Sequence, residues 1–178
     1  WIALHAGVAS GADVILVPEI PFDLNVVAGK CAERSKYGKR FTIIAVAEGA
    51  KCQGGEMIVD HVDPTSPDPI RLGGVGKYVA EQISNCTGLE SRHIVLGHIQ
   101  RGGTPSARDR VLGTLFGTHA VRLLTEGKYN QLVVQKAGQI TSVPIAEIAG
   151  KIRTIEPDDT LLAAARAVGT CFGDGSQA

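Results

Sequence analysis

The chain has 178 residues with 44% hydrophobic and 20% charged side chains, and its 18 basic and 18 acidic residues give a formal net charge of zero. This length is enough for a domain with a real apolar core, and the composition is typical of a soluble globular protein. The balanced charge argues against nucleic acid as a partner, and the lack of a polybasic run argues against an anionic membrane. Any anion site must therefore be local.

The cysteines show neither a CxxC pair nor a zinc-ligand spacing, so we expect free thiols, as in a reducing compartment. They are Cys31, Cys52, Cys86 and Cys171. We find no signal-peptide pattern and no apolar run of transmembrane length, and we expect a cytoplasmic protein. The first residue is Trp1 rather than methionine, which we interpret as a fragment or a processed start.

Apolar patterns in the first half of the chain alternate between helical and strand-like periods. Glycine follows each helical pattern, as is common where helices end. The strand-like runs are continuously apolar, which is typical of strands buried on both faces of a parallel sheet. A stretch rich in Gly, Pro and Asp follows, and we interpret it as a surface insertion. In order, the predictions are a helix over 2–9, a strand over 14–17, a helix over 24–37, a strand over 41–47 and the insertion over 52–70.

The second half continues the alternation and contains the longest helical pattern. We predict that Thr104 caps this helix and that Pro105 occupies its first position. In order, the predictions are a helix over 76–87, a strand over 93–96, a helix over 106–126, a strand over 131–135, short helices over 145–152 and 160–168, and a loose tail. Strands alternating with helices predict an α/β fold, a three-layer α/β/α arrangement with a mostly parallel sheet.

A polar loop with several glycines, GHIQRGG over 97–103, joins the third predicted strand to the longest helix. Ligand sites in α/β proteins lie at the carboxyl ends of strands. Arg101 offers a rigid fork of N–H donors and His98 a pH-dependent charge, and both suit a phosphate. Taken alone, His98 is better explained as a core histidine. Gly102 and Gly103 form either a backbone nest for phosphate or a tight turn into the helix.

Three blocks of the sequence occur in the order found in one enzyme family. They read WIALHAGVASGADVILVPEIPF, IIAVAEGAK, and LGHIQRGGTP followed by DR. Together they resemble the 6-phosphofructokinase family from residue 1 to about 155, and the resemblance weakens over 53–70 and in the tail. It implies an incomplete chain, the C-terminal half of the phosphofructokinase-like fold. Its implied parts are a partial fructose 6-phosphate-binding domain over 1–99, a returning segment of the nucleotide-binding domain over 100–135, and C-terminal helices and tail over 136–178.

The resemblance implies roles for four side chains. His98 and Arg101 match residues that hold the 6-phosphate of fructose 6-phosphate. Arg92 matches an arginine that binds the same phosphate from the neighbouring subunit, which implies a homo-oligomer, a tetramer or a dimer. Glu48 matches a glutamate that accepts hydrogen bonds from sugar hydroxyls, and a site built on such bonds rejects analogues without the hydroxyl. Without the resemblance, Arg92 is a solvated strand-end arginine and Glu48 a turn residue.

A second group of residues matches the effector pocket of bacterial family members, which lies at a subunit interface and binds nucleoside diphosphate or phosphoenolpyruvate with a metal nearby. The group consists of Gly11, Asp13, Gly38, Lys39 and Arg40. The sequence departs from the family here, because Tyr37 replaces a common basic residue and Phe41 a polar one. Arg108 is a further departure, since the family usually has an aromatic residue there.

The implied activity is phosphoryl transfer from ATP, with Mg²⁺, to the 1-hydroxyl of fructose 6-phosphate in glycolysis. In the family the general base, the donor loop and the metal carboxylates lie in the other half. We therefore predict no catalytic residue and no metal ligand in this chain, which should not catalyse the reaction by itself. The alternatives are pyrophosphate as the donor, or a non-catalytic sugar-phosphate-binding or regulatory subunit. A general nucleotide-binding domain would need a complete P-loop or dinucleotide fingerprint, and the sequence has neither.

Overall fold

The computed structural model describes residues 1–55, 59–62, 70–72 and 74–176. It divides into two compact units, unit 1 (Trp1–Val95 with Thr154–Ala178) and unit 2 (Leu96–Arg153). Unit 1 contains α1 (Ile2–Ser10), β1 (Val14–Leu16), α2 (Leu24–Lys36), β2 (Ile44–Val46), β3 (Val59–Val62), β4 (Ile70–Leu72), α3 (Val75–Thr87) and α6 (Thr160–Ala167). Unit 2 contains a 3₁₀ helix (Gly97–Arg101), α4 (Ala107–Thr125), β5 (Gln131–Lys136), β6 (Gln139–Pro144) and α5 (Ile145–Ile148). The family domains over 1–99, 100–135 and 136–178 stay a prediction.

A parallel sheet lies at the centre of unit 1. β1 pairs with β2 in the register that joins Val14 to Ile44 and Leu16 to Val46. On its other side, β1 forms a parallel bridge from Val14 to Cys171. Every residue of β1 is fully buried, as its continuous apolar run predicts, whereas β2 is only half-buried. Both strands and their parallel pairing are confirmed.

Helices cover both faces of β1. Successive strand residues point to opposite sides of a sheet, so alternate residues of β1 pack against different helices. Val14 and Leu16 pack in one apolar cluster with α2 and α3. Ile15 and Val17 pack in a second cluster with α1 and α6. This arrangement is the predicted three-layer α/β/α fold, and each layer buries apolar surface that a single element could not bury alone.

Helix α1 lies unusually close to the sheet at Gly7. A Cβ at this position would lie 2.6 Å from Cδ1 and 2.7 Å from Cγ1 of Ile15, closer than carbon atoms pack. Glycine therefore allows the close approach. α1 ends where the sequence predicts, at Gly11, which has a φ of 68° in the left-handed region.

The predicted loose tail is wrong, because residues after α6 belong to the core of unit 1. Phe172 is fully buried in the cluster of α1 and α6. Cys171 accepts a hydrogen bond of 2.9 Å from the backbone N–H of Ile15. Arg166 pairs with Asp174 at 2.7 Å and lies over the Phe172 ring, 4.8 Å from its centroid. The residues after α6 are thus held in unit 1 by a strand partner, an aromatic side chain and an ion pair. Their sequence shows no periodic pattern that would predict this.

In unit 2, α4 confirms the long predicted helix and β5 the fourth predicted strand. β5 pairs antiparallel with β6, which we did not predict. The two strands are joined by Ala137 and Gly138, whose φ values of 48° and 80° match the two-residue turns that suit hairpin twist.

The predicted cap of α4 is wrong, since Ser106 rather than Thr104 accepts the hydrogen bond of the first turn. The helix predicted over 145–152 shortens to α5.

The predicted third strand over 93–96 is wrong. Ile94 and Val95 are 82% and 76% exposed and lie outside any strand. Its apolar side chains favour a strand, but they do not supply the neighbouring strand with which its backbone would have to pair. Among the described residues, the segment pairs with no strand.

The predicted insertion over 52–70 contains β3, which pairs antiparallel with β4. Residues 56–58 and 63–69 of that insertion lie outside the described residues.

The burial of Phe172 generates a stability prediction. Phe172→Ala should lower the free energy of unfolding by about 3–5 kcal/mol, since truncation removes apolar burial and leaves a cavity. Urea unfolding followed by circular dichroism measures this. Val168→Ala is the control, because Val168 is 82% exposed and should change stability by less than about 0.5 kcal/mol. Equal small effects of both substitutions would contradict the packed tail.

Candidate functional site

Glu48 lies at the carboxyl end of β2, where ligands of parallel sheets bind. The strand leads into a tight turn, in which Ala50 donates a hydrogen bond of 3.0 Å to the carbonyl of Ala47. Ala50 is fully buried and anchors the turn, while Glu48 is exposed. The fold therefore presents this carboxylate to solvent, as a hydrogen-bond acceptor, at the carboxyl edge of the sheet.

Glu19 follows β1 at the same edge, and the sequence analysis did not single it out. Its Oε1 accepts a hydrogen bond of 3.1 Å from the backbone N–H of Ile155, a residue far away in the sequence. Its Oε2 is buried without a hydrogen-bond partner among the described residues. Glu19 thus ties the segment before α6 to the carboxyl end of β1. No local sequence signal marks a contact between residues so distant in the chain.

Arg92 lies in unit 1, exposed and outside any helix or strand. Its Nε and one terminal nitrogen both donate to Oε1 of Glu90, at 2.9 Å and 2.6 Å. The side chains of Arg92 and Glu90 are 85% and 76% exposed. The predicted phosphate ligand is therefore accessible, but its donors are engaged by a neighbouring carboxylate.

His98 and Arg101 lie in unit 2 on the 3₁₀ helix, which starts at Gly97 with a φ of 50°. Such a helix has about 3.0 residues per turn, so side chains three positions apart lie on one face. Both residues are exposed, which corrects the alternative of a core histidine. Their spacing predicts two cationic donors side by side, an arrangement suited to a phosphate.

The glycine pair after this helix forms a turn. Gly102 is extended, with φ −96° and ψ −179°, and Gly103 has a φ of 99°. One common form of backbone nest has successive right- and left-handed helical residues. Gly102 and Gly103 do not have these conformations, which favours the tight turn over the phosphate nest.

A capping box fixes the start of α4 just after the glycine turn. The Ser106 hydroxyl accepts from the backbone N–H of Asp109 at 3.2 Å, and the Asp109 carboxylate accepts from the backbone N–H of Ser106 at 2.8 Å. The Ser106 hydroxyl also donates to the Asp109 carboxylate at 2.8 Å. The bonds to the carboxylate, first from the backbone N–H and then from the hydroxyl of Ser106, lower the pKa of Asp109. The carboxylate is thus committed to the helix terminus.

Asp13, of the predicted effector group, is engaged inside unit 1. Its Oδ1 pairs with Arg34 at 2.9 Å, and its Oδ2 accepts from the backbone N–H of Ile43 at 2.9 Å. The sequence analysis missed Arg34, which has the pattern of a solvated helical residue. Lys39 and Arg40 are exposed on the loop that precedes β2. Asp13 therefore joins β1, the end of α2 and the start of β2.

The described residues contain no group of three or more His, Cys, Asp or Glu side chains arranged to hold a metal ion. All four cysteines are free thiols. Burial is the main cause that raises the pKa of Cys31 and of Cys52, so neither is suited to be a nucleophile.

Among the helices of the described residues, none combines the length and hydrophobicity that a membrane crossing requires.

Helix layers on both faces of a parallel sheet define unit 1 as an α/β fold, and comparison with known proteins makes the class specific. The sequence profile described as Phosphofructokinase matches residues 1–124. The chain belongs to the phosphofructokinase family.

Relatives over nearly the whole chain are similar in sequence. The ATP-dependent 6-phosphofructokinase of Spirochaeta thermophila is 45% identical over 175 residues, which cover 98% of this chain and 48% of the relative. That of Chloroflexus aurantiacus is 46% identical, with 98% and 47% covered. The chain thus spans about half the length of these relatives.

Solved structures agree with the fold. Phosphofructokinase from Saccharomyces cerevisiae aligns with a TM-score of 0.63 at 32% identity, covering 83% of this chain and 18% of that one. The pyrophosphate-dependent phosphofructokinase from Marinobacter aquaeolei aligns with a TM-score of 0.65 at 22% identity, covering 88% and 38%. The second similarity concerns the fold alone.

The capping box generates a prediction about protonation. Because the folded-state pKa of Asp109 is lowered, the contribution of its carboxylate to stability is present above the pKa of the unfolded chain and is lost as the pH falls through the folded pKa. Ser106→Ala removes the hydroxyl bond to the carboxylate but keeps the backbone bond. It should therefore raise the Asp109 pKa part of the way toward its ordinary value, as measured by NMR titration of the carboxyl carbon. Thr104→Ala is the control and should leave it unchanged. An equal shift in both variants would argue against Ser106 as the cap.

Proposed function

We propose that the protein carrying this chain is an ATP-dependent 6-phosphofructokinase of glycolysis, which transfers a phosphoryl group to the 1-hydroxyl of fructose 6-phosphate and gives fructose 1,6-bisphosphate. The observation that carries the proposal is the 45% identity to an ATP-dependent 6-phosphofructokinase across 98% of the chain. The exposed pair of His98 and Arg101 on one face of a 3₁₀ helix supports it, because two neighbouring cationic donors suit the phosphate of a sugar phosphate.

Within this proposal, His98, Arg101 and Arg92 bind the 6-phosphate. Glu48 accepts hydrogen bonds from sugar hydroxyls. Positioned cations of this kind hold the substrate in line for transfer, and phosphoryl transfer depends mainly on positioning and charge stabilisation. The proposal assigns these four residues to binding and orientation.

We assign no general base to this chain. Asp13 is committed to Arg34 and Ile43, and Asp109 to the cap of α4. The donor phosphates and Mg²⁺, which supplies charge neutralisation in such reactions, are likewise assigned no ligand here. The chain contributes substrate binding, and we derive no chemical step from its residues.

The proposed partners are fructose 6-phosphate, ATP and further copies of the chain in a tetramer or dimer, with Arg92 acting across the subunit interface. The effector role of Gly11, Asp13, Gly38, Lys39 and Arg40 stays a prediction. Pyrophosphate is the second candidate donor. The higher sequence identities to ATP-dependent relatives favour ATP.

The donor is tested on the complete product of the gene that encodes this sequence. We expect fructose 1,6-bisphosphate to form from fructose 6-phosphate with ATP and Mg²⁺ and not with pyrophosphate. Turnover with pyrophosphate alone would replace the donor in the proposal. Folded protein that binds fructose 6-phosphate but turns over with neither donor would favour the non-catalytic binding subunit.

The phosphate ligands are tested by truncation. His98→Ala and Arg101→Ala should each raise the KM for fructose 6-phosphate by about 10- to 100-fold, the range expected when a charged hydrogen-bond partner is lost. Arg122→Ala is the matched control, because Arg122 is an exposed arginine of α4 in the same unit. A KM near that of the unmodified protein in both His98→Ala and Arg101→Ala would reject the assignment.

The shared site is tested by subunit mixing. If Arg92 completes the neighbouring subunit's site, Arg92→Ala and Arg101→Ala subunits are each defective, and a mixed oligomer should contain some sites with both arginines. We therefore expect mixing to recover part of the activity, with subunit exchange verified by native mass spectrometry. Confirmed exchange without recovery would place Arg92 in the site of its own chain.

A further inference from the structure

Arg92 and Glu90 form a contact that the proposed function does not use. Two nitrogens of the guanidinium donate to the same carboxylate oxygen, at 2.9 Å and 2.6 Å. The partners are only two residues apart, so little chain entropy opposes their pairing. Both side chains are largely exposed, 85% for Arg92 and 76% for Glu90, so the pair is open to exchange with a dissolved anion.

The end of α3 places Glu90 next to this arginine. The Ser84 hydroxyl donates to the carbonyl of Leu89 at 3.0 Å, and the backbone N–H of Leu89 donates to the Thr87 hydroxyl at 3.2 Å. Gly88 ends the helix with a φ of 71°. Leu89, the residue before Glu90, is therefore hydrogen-bonded to the end of α3 through both its N–H and its carbonyl. The backbone next to the ion pair is fixed by these bonds.

The guanidinium fork suits a carboxylate and a phosphate by the same geometry, two N–H donors aimed at oxygen. The donors that point at Oε1 of Glu90 are therefore those that a phosphate would take. A phosphate monoester carries about −1.5 to −2 charges at neutral pH against one for a carboxylate, and it has three acceptor oxygens. It can displace Glu90, but binding must include the cost of breaking the ion pair.

We propose that Glu90 is an internal competitor for Arg92: it holds the guanidinium while no sugar phosphate is bound and is displaced when the 6-phosphate arrives. This inference rests on the proposed function, in that it requires Arg92 to bind phosphate. Glu90 is a positioning residue in this scheme, acting on the substrate only through Arg92. It sets substrate affinity and leaves the phosphoryl-transfer step unchanged.

The test is Glu90→Gln in the complete gene product. The substitution keeps the size of the side chain and removes its charge. An exposed ion pair contributes little, so the KM for fructose 6-phosphate should fall by about two- to fivefold, with kcat unchanged. Glu126→Gln is the matched control, because Glu126 pairs with Lys128 at 2.8 Å over the same two-residue spacing and lies at no proposed site. It should change neither KM nor kcat.

The double variant Glu90→Gln, Arg92→Ala separates the inference from the proposed function. In the Arg92→Ala background the Glu90 substitution should have no effect on KM, because the guanidinium for which Glu90 and the phosphate compete is absent. If Arg92→Ala weakens substrate binding but Glu90→Gln leaves KM unchanged or raises it, the competitor role is overturned and the phosphate role of Arg92 stands. If Arg92→Ala itself leaves KM unchanged, both are overturned. Thermal unfolding checks that each variant is folded.

Discussion

The burial of β1 on both faces is the constraint on which unit 1 depends. A strand without an exposed face needs a helix layer on each side, and the two apolar clusters that share β1 supply them. The same strand needs hydrogen-bond partners on both edges. β2 provides one, and the segment around Cys171 bridges to the other. Helices from both ends of the chain thereby become parts of one core.

This core positions Glu48. The parallel register of β1 and β2 puts the ends of both strands at one edge, and the turn after β2 is anchored by the buried Ala50. Asp13 acts at the opposite end of the strands, where its carboxylate joins Arg34 to the backbone just before β2. The exposed glutamate is therefore carried on a strand that is fixed at both of its ends.

Unit 2 positions its proposed ligands by local geometry instead. The 3₁₀ helix aligns His98 with Arg101 because its period matches their spacing. The glycine turn and the Ser106 capping box then set the start of α4. Neither feature needs a large apolar core, and Leu123 is the only residue of α4 that is buried. Local hydrogen bonds rather than burial hold the proposed phosphate-binding loop in shape.

The sequence by itself determined the α/β class, the buried strand β1 and the main helices, and it predicted the residues of the candidate site. These follow from local rules, the period of apolar residues, the glycines that end helices and the ordered family motifs. Only the tertiary structure decided that residues 93–96 pair with no described strand, that Phe172 is core, and that Asp13 and Arg92 are engaged by Arg34 and Glu90. Strand pairing, burial and ion pairing each need a partner, and a local pattern in the sequence does not say which residue will be close in space.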